Sequence, residues 1–388
     1  MTTEALGMDV IVVGAGPVGL FLAGDLQAHG ARVTVLERLT RPTTESRAST
    51  LHARTMEIFA ERGLLERFGE LPSGGPGHFG GMTLDLTTAD PGHPHAGQWK
   101  CPQTRIEAVL QKWATDLGAQ VLRGHTVDGL LQEEHHVRVT ARTADGTART
   151  FTASHLVGCD GEDSTVRHLA GFELSGRAAT VEMLRADVAG LDIPNRRFER
   201  HPDGVATSYR WPDGTTRVMV HLYGHTPQSR RRQPEFDEVV TAWAKTTGED
   251  ISGGTPLWLN AFDNASLQTT HYQAGRVLLA GDAAHIQMPV GGLALNLGLQ
   301  DAAALGPKLA ARATNPEGPN PLDGYDERQA VGDRTLTSIA AQARLLLGGP
   351  EVDGLRTVFG ELLGLDTVRR HLAGTIAGLP VRPELTPS

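Results

Sequence analysis

The sequence predicts an α/β fold: a Rossmann-like domain built on a parallel sheet, interrupted by a β-rich domain and followed by C-terminal helices. Three observations predict it. An apolar run at the N-terminus meets a glycine-rich turn and then a segment of helical spacing. Two later apolar runs, Leu156 to Cys159 and Arg276 to Ala280, each end at an aspartate turn. Between and after them the pattern is β-rich from about 180 to 265 and helical to about 380. A nucleotide-binding domain interrupted by an inserted sheet is the simplest account of that order.

Asp9 to Val13 is short and β-branched, as a buried parallel strand should be. Gly16 to His29 carries Val18, Leu22 and Leu26 on one stripe, and Gly30 closes it. Arg32 to Leu36 is the second strand, ending at Glu37, which completes a strand–turn–helix–strand unit. Residues 71–77 and 91–97 are loops around a possible strand, Gly81 to Thr87. Arg105 to Leu117 is a helix with Ile106, Val109, Leu110 and Trp113 on its apolar face. Gln120 to Arg123, Leu130 to Leu131 and Val137 to Arg142 are strands. Gly204 to Trp211 and Thr215 to Tyr223 flank Pro212-Asp213-Gly214, a hairpin signal. Leu295 to Ala311 is a helix. Further helical spacing follows at Leu336, Ile339, Ala340 and Ala343, then at Leu355, Val358, Phe359 and Leu362.

A chain of 388 residues has room for two or three domains. Its 36 Lys and Arg stand against 45 Asp and Glu, a net charge of −9, which argues against a nucleic-acid face. Two cysteines, Cys101 and Cys159, exclude a disulfide framework and a cysteine zinc site. Of the histidines, His93-Pro94-His95 and His135-His136 lie densest, but neither pair has an acid at ligand spacing, so no metal is expected. The first apolar run is too short for a signal peptide or a membrane span, so a cytoplasmic protein without membrane contact is the expectation.

The turn is Gly14-Ala15-Gly16-Pro17-Val18-Gly19. Gly14 allows the tight turn, Gly16 lets backbone approach a pyrophosphate, and Gly19 lets the helix close on the strand. Glu37, 23 residues after Gly14, can accept the hydroxyls of an adenosine ribose. Asp160-Gly161 and Gly281-Asp282 each follow a strand, where an aspartate suits ribityl hydroxyls and a phosphate. Each signal alone is weak; the three in this order are specific. His285, after Gly281-Asp282, reads as structural. Met183, Met219 and Tyr223 could line an aromatic pocket or simply pack the sheet.

With those motifs, the segments Arg47–Glu57 and Pro102–Glu107, and Asn296-Leu297-Gly298-Leu299-Gln300-Asp301, the chain resembles the class A FAD-dependent aromatic hydroxylases of the para-hydroxybenzoate hydroxylase fold. It is most similar to the bacterial aromatic-polyketide hydroxylases of antibiotic biosynthesis. The resemblance implies a flavin domain of glutathione-reductase type over 1–72, 100–179 and 268–345, a substrate sheet over 73–99 and 180–267, and a helical segment over 346–388. Many such hydroxylases continue into a thioredoxin-like domain, whereas this sequence ends at Ser388.

The resemblance also implies a non-covalent FAD, NADPH or NADH as electron donor, molecular oxygen, and an aromatic polyketide as substrate. NAD(P)H would reduce the flavin, and oxygen would add to give a C4a-hydroperoxide that hydroxylates a ring or performs Baeyer–Villiger insertion. No side-chain nucleophile is needed. By the same resemblance Glu37 holds the ribose, Arg38 meets NADPH, and Arg47 lies near the pyrophosphate and the flavin. Gln103, Asp160 and Asp282 serve the ribityl and phosphate groups. Pro289 sits over the reacting edge, and Gly292, Leu295 and Asn296 present a helix N-terminus to the flavin ring.

One motif departs from the family pattern. Where the family has Gly-Gly-Gln-Gly, this chain has Gly291-Gly292-Leu293-Ala294. Ala294 adopts a positive φ less cheaply than glycine, and Leu293 is expected to make the flavin site drier. The same departure leaves open an FAD protein that catalyses a non-oxygenating cyclisation or rearrangement, or that assists a partner oxygenase.

Overall fold

The computed structural model describes residues 8–45, 47–228 and 233–380. Its first layer is a six-stranded sheet in the order Gln273–Ala274, Val277–Leu279, His155–Gly158, Val10–Val13, Val33–Glu37 and Gln120–Arg123. All neighbours run parallel except the first pair. Val10–Val13 and Val33–Glu37 are buried along their whole length. That is why they read as continuous apolar runs rather than alternating ones. The helix Pro17–Ala28 packs on this sheet beneath Gln103–Asp116 and Leu293–Thr314. An antiparallel meander, His125–Gln132, Val137–Thr143 and Ala148–Ala153, adds Val127, Val139 and Phe151 to the same core.

A second sheet is antiparallel, ordered Arg196–His201, Gly204–Arg210, Thr216–Leu222, Glu182–Ala189 and Thr255–Asp263. The expected hairpin is present, closed by the Trp211 N–H on the Thr215 carbonyl at 2.8 Å. One face of this sheet packs Ala186, Val188, Val218 and Val220 against a helix, Phe236–Thr247. This helix lies within the stretch expected to be β-rich. The helix has a Glu235/Glu238 capping box and a left-handed Gly248 at its end, both readable signals.

The opposite face carries Met183, Val205, Met219 and Phe262 into another core with Phe79, Met288, Val290, Leu293 and Ile339. The helix Glu327–Leu347 gives Ile339, Ala343 and Leu345 to this core and packs against Leu293–Thr314. Asp366–Ala377 packs on the short turn Leu86–Ala89. The expected strand Gly81 to Thr87 is shorter, Met82–Leu84, because that turn follows it. No helix among the described residues is long and apolar enough to cross a membrane.

Candidate flavin site

The three aspartate- and glycine-bearing turns meet at the carboxyl ends of adjacent parallel strands, where open α/β sheets bind ligands. Gly14 has φ +103°, and a Cβ there would lie 2.4 Å from the Cys159 carbonyl. No other residue type fits while the first turn touches the Asp160 turn. A Cβ on Gly19 would lie 2.1 Å from the Gly14 carbonyl, so the helix closes directly on the turn. Gly16, by contrast, faces open space. It caps the helix Pro17–Ala28 with no side chain bound to the first-turn N–H groups. An open, uncapped helix N-terminus with a bare backbone is what a pyrophosphate requires.

Glu37 is buried beside this turn. Its carboxylate accepts the Ala15 N–H at 2.7 Å and the Leu39 N–H at 2.8 Å, which fixes it at the strand end. Arg38, next to it, is exposed. Gln103 is the first residue of its helix; its carbonyl oxygen accepts the Ala48 N–H at 3.2 Å and its amide donates to Glu107 at 2.9 Å. Asp160 accepts from the Ser164 hydroxyl at 2.5 Å and the Val166 N–H at 3.1 Å, so it anchors the helix Thr165–Leu169. Burial pushes the Asp160 carboxyl up from its ordinary value, and those hydrogen bonds oppose the rise.

Asp282 is open to water yet deeply set among protein atoms. Burial raises its pKa, and the charges of His285 and Arg47 pull it back. Arg47 is half-exposed, 3.3 Å from Glu45. Its positive charge is felt by Glu107, Glu162, Asp282 and Arg185. Pro289 is exposed at the rim of the loop that leads into the helix Leu293–Thr314.

Here three expectations are corrected. The helix begins at Leu293, not Leu295, with Gly292 as its cap, so Leu295 is its third residue. The positive φ values fall on Gly291 (+67°) and Gly292 (+73°), while Ala294 is helical and unstrained. The Leu293 side chain turns into the second core, only 4% exposed, instead of lying against the cleft. Asn296 also holds this loop in place. Its side chain accepts the His52 N–H at 2.9 Å and donates to the carbonyls of Thr50 (2.9 Å) and Gly292 (2.7 Å). It therefore ties the glycine loop to the strand Thr50–His52 and has no donor to spare.

Sequence reasoning missed a buried charge network below the Asp282 turn. His285 Nε2 lies 2.7 Å from Asp301, which also takes Arg328 at 2.8 Å and the Gly281 N–H at 3.3 Å. Spacing could not show it, since its members lie 16 and 27 residues apart.

A family model described as FAD binding domain matches residues 7–338. The rifampicin monooxygenase of Streptomyces venezuelae is 40% identical over 96% of this chain and 79% of its own. The dialkyldecalin synthase of Streptomyces rugosporus is 34% identical over 95% of this chain and 80% of its own. Among solved structures, an aromatic hydroxylase of angucycline biosynthesis, CabE, superposes with TM-score 0.92 at 44% identity, covering 97% of this chain and 76% of that one. The chain belongs to the FAD-binding-domain family. Within it, the chain is a flavoprotein monooxygenase of the class A hydroxylase type.

Proposed function

We propose that the protein is an NAD(P)H-consuming monooxygenase that hydroxylates, or Baeyer–Villiger oxidises, an aromatic polyketide in antibiotic biosynthesis. The observation that supports this reading most is the meeting of the uncapped Gly16 helix, Glu37 and the Asp282 turn at the carboxyl ends of neighbouring parallel strands. Bound FAD supplies the two-electron redox chemistry and the activation of oxygen. One oxygen atom enters the product, the other leaves as water, and NAD(P)H provides the two electrons.

The protein's part is to bind, orient and keep dry. The Gly14–Gly16 backbone and the helix end hold the pyrophosphate, and Glu37 holds the adenosine ribose. Asp282 takes a ribityl hydroxyl, and Gln103, whose side-chain oxygen accepts the Ala48 N–H, reaches the ribityl chain. Arg47 contributes the positive charge at the cleft, and Arg38 meets the dinucleotide donor. With FAD bound, the positive N-terminus of the helix Leu293–Thr314 would stabilise negative charge on the flavin. Residues 1–72, 100–179 and 268–345 act as the flavin domain, and 73–99 with 180–267 as the substrate domain. Met183, Met219 and Phe262, packed into the second core, keep water from that face of the substrate sheet.

Anaerobic mixing of FAD-loaded protein with NADPH or NADH tests the reading. Bleaching of the flavin absorbance, faster with an aromatic polyketide present, is expected. No bleaching with either donor would overturn it. The likeness to a dialkyldecalin synthase favours a second reading, a non-oxygenating cyclisation on the same fold.

A further inference from the structure

Arg185 sits on the strand Glu182–Ala189, on the sheet face turned away from the helix Phe236–Thr247. It is 6% exposed. Its guanidinium lies over the rings of Trp258 (4.6 Å) and Phe262 (5.2 Å). One terminal nitrogen donates to the Asn260 side chain at 3.1 Å, and the other reaches the Arg47 carbonyl only at 3.5 Å. Its Nε–H is buried without a partner. No carboxylate lies within ion-pair distance among the described residues.

Four other arginines of low exposure do have one, Arg62 with Asp25, Arg196 with Glu249, Arg217 with Asp187, and Arg328 with Asp301, whereas Arg123 and Arg167 bond to amide or carbonyl oxygens instead. Burying a cation without a counter-charge is costly, and here the cost shows. Burial pulls Arg185 down to about 9, Arg217 and Arg47 add to the fall, and Asp187 and Glu45 only partly offset it. Two aromatic faces steady the charge but take up none of its N–H donors, and the Nε–H stays without a partner.

We infer that Arg185 is the specificity-determining residue for an anionic oxygen, the phenolate or enolate of a planar aromatic substrate. Three features support this ligand. The aromatic walls suit a flat ring system. The Met183, Met219 and Phe262 surface continues the same face toward the Met288–Leu293 loop. The Arg47 carbonyl lies 3.5 Å from the guanidinium, which sets Arg185 beside the segment that serves the flavin site. A guanidinium there would hold the ionised oxygen of an electron-rich ring, and ionisation is what makes such a ring reactive toward an electrophilic oxygen. The inference rests on the monooxygenase reading above. A phosphate of the dinucleotide donor has the same charge and is the competing source.

The test uses FAD-loaded wild type, Arg185→Lys and Arg185→Met. Each is titrated with alizarin, a planar acidic phenol whose ionisation changes its colour, and in parallel with NADPH. FAD content and circular dichroism establish folding. On wild type, bound alizarin should ionise about one pH unit lower than free alizarin. Lysine should keep part of that shift. Methionine should abolish it and weaken binding about tenfold or more, with NADPH affinity unchanged. If methionine weakens NADPH and spares alizarin, the anion is a phosphate and the proposal falls. It falls also if neither ligand responds, or if wild type does not bind alizarin. Should the methionine variant fail to fold, an unshifted alizarin titration on the lysine variant would still overturn it. Failure of wild type to take up FAD would instead defeat the flavoprotein reading, so the two failures are distinct.

Discussion

His285 Nε2 and Asp301 Oδ2 lie 2.7 Å apart, both fully buried, under the turn that carries Asp282. Burial pulls His285 down, but the charge and hydrogen bond of Asp301 outweigh it and leave it raised. Burial pushes Asp301 up, but Arg328 and His285 outweigh that and leave it lowered. The histidine's contribution to stability is therefore full below its unfolded value and is lost as pH rises through the raised one. The aspartate's contribution is present above its unfolded value and is lost as pH falls through the lowered one. Asp301→Asn should cost about 3–5 kcal/mol, because Arg328 and His285 stay buried without their counter-charge. Denaturant melts across pH check both: the variant should lose stability and most of the wild-type dependence near neutrality.

Glu37→Ala should weaken FAD by about 1.5–3 kcal/mol, roughly tenfold to a hundredfold in Kd, since a charged acceptor is lost. The Ala15 and Leu39 N–H groups lose their partner as well. Fluorescence titration of stripped protein with FAD measures it, and wild-type affinity in the variant would remove Glu37 from the site.

Asn296→Ala should cut the tie between the glycine loop and the strand Thr50–His52. The stranded His52 N–H should cost about 1–3 kcal/mol. Thermal melts with and without FAD should show the loss in both, and a larger peroxide yield per NAD(P)H would accompany a loosened loop.

Leu293→Gln should behave as a core substitution. Placing an amide in the second core costs about 1–3 kcal/mol on protein mutational scales. Ala294→Gly, in the first helical turn, should cost about 0.5–1 kcal/mol. Neither should change the rate of flavin reduction in stopped flow. A changed rate with unchanged melting would return Leu293 to the flavin's side.

The nucleotide turns were legible because their physics is local: a strand, a glycine that must bend, a helix that must stay uncapped. Gly14, Gly16 and Glu37 stand within one strand–turn–helix–strand unit, so their spacing alone marks them. Leu293 was misread because a loop motif names positions and not directions, and only the second core shows where that side chain points. Arg185 was invisible because its meaning lies in a missing partner, which requires knowing everything around it. The helix Phe236–Thr247 was legible and overlooked: Phe236, Val239, Val240 and Trp243 have helical spacing. The hairpin before it biased that stretch toward strands.

Oxygen uptake by the FAD-loaded protein with NADPH or NADH and an aromatic polyketide, followed by mass analysis of the product, tests the central claim most directly. The account predicts uptake matched to donor oxidation, little change on adding catalase, and a product heavier by one oxygen atom. A product isomeric with the substrate, formed without oxygen and without NAD(P)H, would contradict it.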